Sequence, residues 1–414
     1  MRLLCLSNGH GEDAIALRVL KALQQQATSL GQPLELVALP IVGDGHAYRA
    51  ADIPLAGPTQ IMPSGGFVYM DGAQLWRDVQ GGLLSLTRSQ LRIARQWGQA
   101  GGCILAVGDI VPLLFAWASG APYAFVGTAK SEYYLRDESG PLARRTWFEQ
   151  LERWSGSVYL PWERWLMSRD RCRAVFPRDS LTTEFLQQWP IAAVDLGNPM
   201  MDGLRVGMDY ATHLMKDGQP RAILLLPGSR SPEAERNWQK LLVAVASVQR
   251  VWRGARFLAA IAPNLDLKRF TQQAEGQGWQ LVSQTPGGGQ TYAQGEARLE
   301  IDARFYDFLN EAEVAIAMAG TATEQFVGLG KPALTLVGEG PQFTPAFAEA
   351  QTRLLGPSVQ LVDSPSEAGD ALRQLWADLP RRQAIACNGQ RRLGAPGAAE
   401  RIAAHLLSVV GQAT

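Results

Sequence analysis

Short apolar runs alternate with longer amphipathic stretches along the chain, the rhythm of βα units around parallel sheets. In the first half, residues 3–6 predict a strand and 12–24 a helix. The runs at 34–39, 102–107 and 123–126 predict further strands, and 173–176 and 192–196 add two more around a helix at 180–188. The rhythm then restarts with a strand at 222–226, a helix at 233–252 and a strand at 257–261, followed by apolar runs at 281–282, 314–318 and 333–337. Gly, Pro and Asp cluster between Gly197 and Pro220, which places a boundary there. The expected organisation is a first α/β domain over 1–205, a second over 206–384, and a mostly helical tail over 385–414 packing across domains. Two such domains on a short linker would form a cleft lined by the C-terminal ends of their strands, where open α/β sheets bind ligands. The stretch from Pro286 to Gly289 predicts a flexible loop between strands.

Composition narrows the classes. The 414 residues carry Lys+Arg 39 against Asp+Glu 39, so the basic excess of a general nucleic-acid binder is missing and no nucleic-acid partner is expected. With 46% hydrophobic residues the chain can bury a large core. The 4 cysteines form no Cys-x-x-Cys pair, which excludes a cysteine zinc site and a disulfide scaffold and fits a reducing cytosol. The 4 histidines lack metal-ligand spacing, so no metal is expected. The apolar run at 3–6 is too short for a signal peptide, and 103–118 is interrupted by Asp109 and Pro112. A soluble cytoplasmic chain, or one resting on a membrane surface, is expected.

Four segments could carry chemistry. In Met318-Ala319-Gly320-Thr321-Ala322-Thr323-Glu324 an apolar strand ends in a tight turn and a helix begins, so free N–H groups favour an anion such as a diphosphate. Thr321 and Thr323 add hydroxyl donors and Glu324 can accept from ribose hydroxyls, although plain helix capping accounts for the same residues. In Leu226-Pro227-Gly228-Ser229-Arg230, Arg230 can neutralise a leaving phosphate, or pair with Glu233 or Glu235 at the next helix. The run Asn8-Gly9-His10-Gly11-Glu12-Asp13 lets backbone approach a ligand and offers His10 as a base, while Glu12 and Asp13 equally suit a helix first turn. Asp109, after an apolar strand, is a general base or a helix N-cap.

Two regions suit a lipid interface. A helix over 83–97 gathers Leu83, Leu84, Leu86, Leu91, Ile93 and Trp97 on one face with Arg88, Arg92 and Arg95 along one side. The stretch 144–173 mixes Trp147, Trp154, Trp162 and Trp165 with arginines. Core helices share this pattern, so both readings stand.

In this order the motifs resemble the lipid-A-disaccharide synthases, in the branch of synthase-related proteins. The anchors are Leu226 to Arg230 and Gly320 to Glu324, with Gly197-Asn198-Pro199-Met200-Met201-Asp202 similar to the family's Gly-His-Pro stretch. The resemblance implies a GT-B fold, two Rossmann-like domains with parallel sheets facing an interdomain cleft. It also implies inverting transfer from a UDP-sugar to a lipid or lipid-linked acceptor at the cytoplasmic membrane face, without a required metal or other cofactor. By position, Gly228, Ser229, Arg230, Gly320, Thr321, Ala322, Thr323 and Glu324 would bind the donor, with Arg230 stabilising the departing UDP. Asp109 would match the family's proposed catalytic Asp. Gln342, in Gly340-Pro341-Gln342-Phe343-Thr344, is assigned a donor contact. The first loop departs from the family's Gly-Glu-Ala-Ser-Gly-Asp. Here Asn8, Gly9, His10, Gly11 and Glu12 differ and only Asp13 aligns, which leaves the acceptor open and makes His10 a rival to Asp109. A UDP-N-acetylglucosamine 2-epimerase, or a non-catalytic nucleotide-sugar-binding protein, would fit the same motifs.

Overall fold

The computed structural model describes residues 1–59, 83–143, 154–204, 220, 222–340 and 343–410. The chain divides into two compact units. The first comprises Met1–Asp202 with Gly394–Thr414, and the second comprises Gly203–Leu393.

The first unit is built on β1 (Arg2–Ser7), β2 (Glu35–Pro40), β3 (Cys103–Gly108), β4 (Tyr123–Gly127) and β5 (Cys172–Phe176), in the order β2-β1-β3-β4-β5. All four pairings are parallel. Helices on both faces explain why these strands read as unbroken apolar runs: every residue of β3 and β4 is buried. Besides the single turn His46–Arg49, the helices before the linker are α1 (His10–Ser29), α2 (Leu83–Gln99), α3 (Ile110–Ser119), α4 (Pro161–Met167) and α5 (Ser180–Leu186). The expected strand at 192–196 is reduced to one bridge, Val175 with Ala193, because the chain leaves β5 after two hydrogen bonds.

The second unit repeats the plan with β6 (Ile223–Leu226), β7 (Arg256–Ala260), β8 (Gln280–Gln284), β9 (Gln290–Gln294), β10 (Ala297–Asp302), β11 (Val314–Ala317), β12 (Ala333–Leu336) and β13 (Val359–Val362). The sheet order is β8-β9-β10-β7-β6-β11-β12-β13. Its six parallel strands, β10-β7-β6-β11-β12-β13, run in the order 3-2-1-4-5-6, and β9 and β8 extend the β10 edge as an antiparallel hairpin. Its helices are α6 (Glu233–Val251), α7 (Leu267–Gly276), α8 (Phe305–Glu311), α9 (Thr321–Gly328), α10 (Pro345–Leu355), α11 (Ala368–Ala377) and α12 (Leu379–Leu393). The core centres on Trp238, fully buried with its indole N–H donating to the Phe270 carbonyl at 3.0 Å.

The helix expected from 385 starts at Leu379, and α12 packs on α9 and α10 of the second unit. After Gly394 a last helix, α13 (Ala398–Val409), packs on α1 of the first. Asp202 fixes its start: the carboxylate accepts from the backbone N–H groups of Gly397, Ala398 and Ala399 at 2.6, 2.9 and 2.7 Å. This gives the Gly197–Asp202 motif a structural task. Three charge-assisted bonds at a helix N-terminus favour the folded chain by about 2 kcal/mol. Asp202→Ala should lower stability by that order in urea unfolding, and Asp202→Asn by less; equal stability of all three proteins would refute the cap.

Candidate functional site

In a 2-1-3-4-5 sheet the connections after the first and third strands leave to opposite faces, and ligands bind in the crevice between them. In the first unit those strands are β1 and β3. The loop Asn8-Gly9 leads from β1 into α1, and Asp109 leads from β3 into α3. Asp109 caps α3 by accepting from the Val111 N–H at 2.9 Å, so the capping role holds, and its Oδ1 also accepts from the Asn8 amide at 3.2 Å. Gly108 adopts φ +132°, and a Cβ there would press on Glu12 Cγ and Pro112 Cγ, both at 3.3 Å. The missing side chain is what lets Glu12 lie beside Asp109. The Thr128 hydroxyl, after β4, donates to Glu12 at 3.4 Å.

Burial, then the charges of Asp109 and Asp13, raises the Glu12 carboxyl to about 7, with its own backbone N–H and the Thr128 hydroxyl opposing. Burial likewise raises Asp109, against the Val111 N–H and Lys130, with Glu163 adding to the rise. Asp13 plays a different part. It is buried, accepts from the Ser7 hydroxyl at 2.5 Å, and Ser7 in turn accepts from Tyr48 at 2.7 Å, so it ties α1 to β1. Gly11 is exposed. His10 begins α1, but its side chain lies outside the described residues.

In the second unit the equivalent strands are β6 and β11, paired so that Leu226 faces Ala317, with the Met318 N–H donating to the Leu226 carbonyl at 2.8 Å. This pairing sets the turns Pro227–Arg230 and Ala319–Thr321 side by side. Gly228, at φ +101°, lies so close that a Cβ would sit 3.3 Å from the Met318 oxygen. The Asn237 amide holds the Pro227 carbonyl and the Asn264 amide holds the Ser229 carbonyl, each at 2.9 Å. Ser229 and Arg230 are exposed. Of the two carboxylates suggested as partners for Arg230, Glu233 accepts from the Phe343 N–H at 2.6 Å and Glu235 accepts from the Ser231 hydroxyl at 2.8 Å.

The turn before α9 differs from expectation at one residue. Gly320 is the N-cap and no side chain caps the helix. Thr323 is fully buried and its hydroxyl donates to the Ala319 carbonyl at 2.6 Å, so it holds the turn and cannot donate to a ligand. Thr321 is exposed, and Ala322 and Glu324 are partly exposed. Gln342 lies outside the described residues. A Cβ on neighbouring Gly340 would overlap Glu233.

Sequence reasoning missed Phe347 and Gln351, which α10 carries to the same turn. Gln351 donates to the Ala319 carbonyl at 2.9 Å, and a Cβ on Gly320 would touch Phe347 Cζ at 3.4 Å. The available signal was Thr344-Pro345, a helix N-cap followed by proline at the first position, which sets the i, i+4 face of α10.

The two regions suggested for a lipid interface differ. On α2 the described apolar residues turn inward: Leu86 belongs to the core, and Leu91, Ile93 and Trp97 pack against it. Leu83, Leu84 and Trp147 lie outside the described side chains. In the second region Trp154, Trp162 and Trp165 are exposed, as is Leu114 on α3. Among the described residues, no helix is long and apolar enough to cross a membrane.

No protein-family model matches the chain, and no curated protein matches it in sequence. Solved structures do match. A putative UDP-N-acetylglucosamine 2-epimerase from Listeria monocytogenes is 15% identical, with TM-score 0.55, over 99% of this chain and 97% of that one. The UDP-GlcNAc 2-epimerase from Neisseria meningitidis bound to UDP-GlcNAc is 13% identical, with TM-score 0.54, over 99% and 100%. Acinetobacter baumannii MurG is 12% identical, with TM-score 0.54, over 98% and 99%. At these identities the likeness shows the fold: α/β, with two Rossmann-like units of the GT-B class.

The raised Glu12 carboxyl carries a pH signature. Between 4.5 and 7 the folded chain holds a proton that an unfolded glutamate releases, so this group's contribution to stability falls as pH rises through that window. At about 1.4 kcal/mol per unit the loss is about 3 kcal/mol by pH 8. Relative to Glu12→Gln, the wild type should lose urea stability between about pH 4.5 and 8; a difference that stays constant with pH would contradict the buried carboxyl.

Proposed function

We propose that the chain is a UDP-sugar-dependent glycosyltransferase acting on a lipid or lipid-linked acceptor, similar in chemistry to lipid-A-disaccharide synthase. The observation that carries the reading is the pairing of β6 with β11, which sets an exposed arginine turn beside an uncapped helix N-terminus. That pair suits a diphosphate: the N–H groups and the dipole of α9 meet its charge, and Arg230 stabilises it as it leaves. Neighbours of the same fold include a putative and an established UDP-GlcNAc 2-epimerase, the latter bound to UDP-GlcNAc, and MurG, which supports a nucleotide-sugar donor.

The reaction assigned to the first unit is deprotonation of the acceptor. A base among Asp109, Glu12 and His10 takes the hydroxyl proton as its oxygen bonds to the anomeric carbon from the side opposite the diphosphate. The bond to the diphosphate oxygen breaks, and UDP departs with the electron pair. Glu12 and Asp109 suit this because burial makes each a stronger proton acceptor than an exposed carboxylate. No metal is assigned a role.

The lipid part of the reading rests on the exposed aromatic face. Trp117 and Trp165 meet edge to face at 5.4 Å, and the Arg169 guanidinium lies over the Trp165 ring. Arg95 and Arg171 donate to the carbonyls of Ala118 and Trp117. Tryptophan with arginine suits the headgroup layer of an anionic bilayer.

Three measurements test this. UDP at about one hundred times its dissociation constant should add roughly 2.7 kcal/mol of stability, with ADP, GDP and CDP adding less. With UDP-sugars and lipid acceptors, Arg230→Ala should lower kcat about a hundredfold while the circular dichroism spectrum is kept. Turnover that survives the substitution removes Arg230 from the mechanism, and an isomerised sugar nucleotide without free UDP would make the chain an epimerase. For the membrane, phosphatidylglycerol vesicles should sediment the wild type and release most of a Trp162→Ala/Trp165→Ala double variant; equal sedimentation would remove this face from the account.

A further inference from the structure

We infer that β8 is a docking edge for a second copy of this chain, the two β8 strands pairing antiparallel about a two-fold axis. The inference stands apart from the donor-site reading and uses none of its residues.

The second sheet ends at β8, whose one neighbour in the sheet is β9. The outer side of an edge strand carries a row of backbone N–H and C=O groups that a further strand can pair. The edges of the two main sheets differ in how that row is covered. Beside β2, the Ala38 N–H donates to Pro54 and its carbonyl accepts from Ala56. Beside β5, Val175 is held in the same way by Ala192 and Val194. The edge strand β13 buries Val359 and Val362, with α10 packed on it. In β8 every residue is exposed, and Leu281 and Val282 in its middle are 51% and 59% exposed. Open backbone and open apolar side chains therefore occur on the same strand.

Charge decides which partner fits. Residues 276–295, which span β8, its turn and β9, hold no Asp, Glu, Lys or Arg, in a chain whose residues are 19% charged. Natural sheet edges commonly carry lysine or another charge that repels a like edge. This edge has no such guard, and a charged partner strand would find no counter-charge on it. A second β8 meets only neutral groups. In the two-fold pairing Leu281 and Val282 pack against their counterparts, and the amides and hydroxyl of Gln280, Ser283 and Gln284 have polar partners of their own kind. The same patch serves both copies, so the contact closes at two chains and leaves no edge for a third.

The strand also limits how firmly the copies hold. Its register against β9 slips between Leu281 and Ser283, so Val282 has no partner on β9. A bulge of this kind bends the strand and sharpens its twist, which shortens the stretch another strand can follow. Five residues pair here, against roughly 20 a side in a stable interface. The dimer is accordingly weak and reversible, with a dissociation constant of about 10 to 100 micromolar.

The test is sedimentation velocity of the full chain from about 1 to about 500 micromolar. The wild type should pass from one chain to two and go no further. Val282→Lys and Val282→Glu should each weaken association at least tenfold, because like charges then face one another across the axis. An equal mixture of the two variants should associate again, since lysine now meets glutamate. Val282 is exposed, so both variants should keep the fold, which circular dichroism checks. A wild type that stays monomeric, or a mass that grows past two chains, would overturn the inference. So would variants that dimerise like the wild type, or a mixture that stays monomeric. None of these outcomes touches the donor site, which the nucleotide titration tests separately.

Discussion

A parallel sheet whose strand order turns back on itself cannot cover every loop. Where the first and third strands lie side by side, their connections leave toward opposite faces and the backbone between them stays open. The first unit has this geometry at β1/β3, and in the second the order reverses in the same way between the first and fourth parallel strands, β6 and β11. The open crevice is what permits Glu12 and Asp109 to sit beside apolar strands, and what leaves the start of α9 without a side-chain cap. Elsewhere in the two cores a polar group must be paired or excluded. The packing of the sheets therefore decides where chemistry can occur before any particular residue is chosen.

The two crevices have opposite chemical character. In the first, carboxyl groups are desolvated and crowd one another, so they bind protons more tightly than usual. In the second, a helix N-terminus that no side chain caps lies beside the turn Pro227–Arg230. On the function proposed above, the first would accept a proton and the second the charge of the leaving group. A plain scaffold needs neither arrangement, since an alanine at position 12 would fill the first turn of α1 at no electrostatic cost.

Much of this could be read from sequence because strands buried on two faces announce themselves as apolar runs and their C-terminal loops follow at once. The segments holding Asp109, Gly228 to Arg230 and Gly320 to Glu324 were found that way. Three strands of the two main sheets escaped: β9, where only Tyr292 is buried, β10, which alternates buried Ala297, Leu299 and Ile301 with Arg298 and Glu300 and so shows no apolar run, and β13, whose short run Gln360 interrupts. The apolar side of α2 was legible but its direction was not, because a core-facing stripe and a lipid-facing stripe have the same period. Side-chain partners were least legible. Nothing in the spacing shows that Thr128, far along the chain, reaches Glu12, or that α10 returns Gln351 to a turn thirty residues earlier.

Thr323 shows why a motif residue need not do what its chemistry suggests. A hydroxyl has one proton. If Thr323 gave it to a phosphate, the Ala319 carbonyl would lose one of its two donors and the turn one of its restraints. Spent on the carbonyl, the same proton orients the N–H groups that follow, and those carry no rotamer entropy of their own. The frame is then built from side chains and the contact from backbone. Such a cradle is insensitive to which side chain occupies position 321 or 322. Discrimination between anions would then have to come from groups outside it.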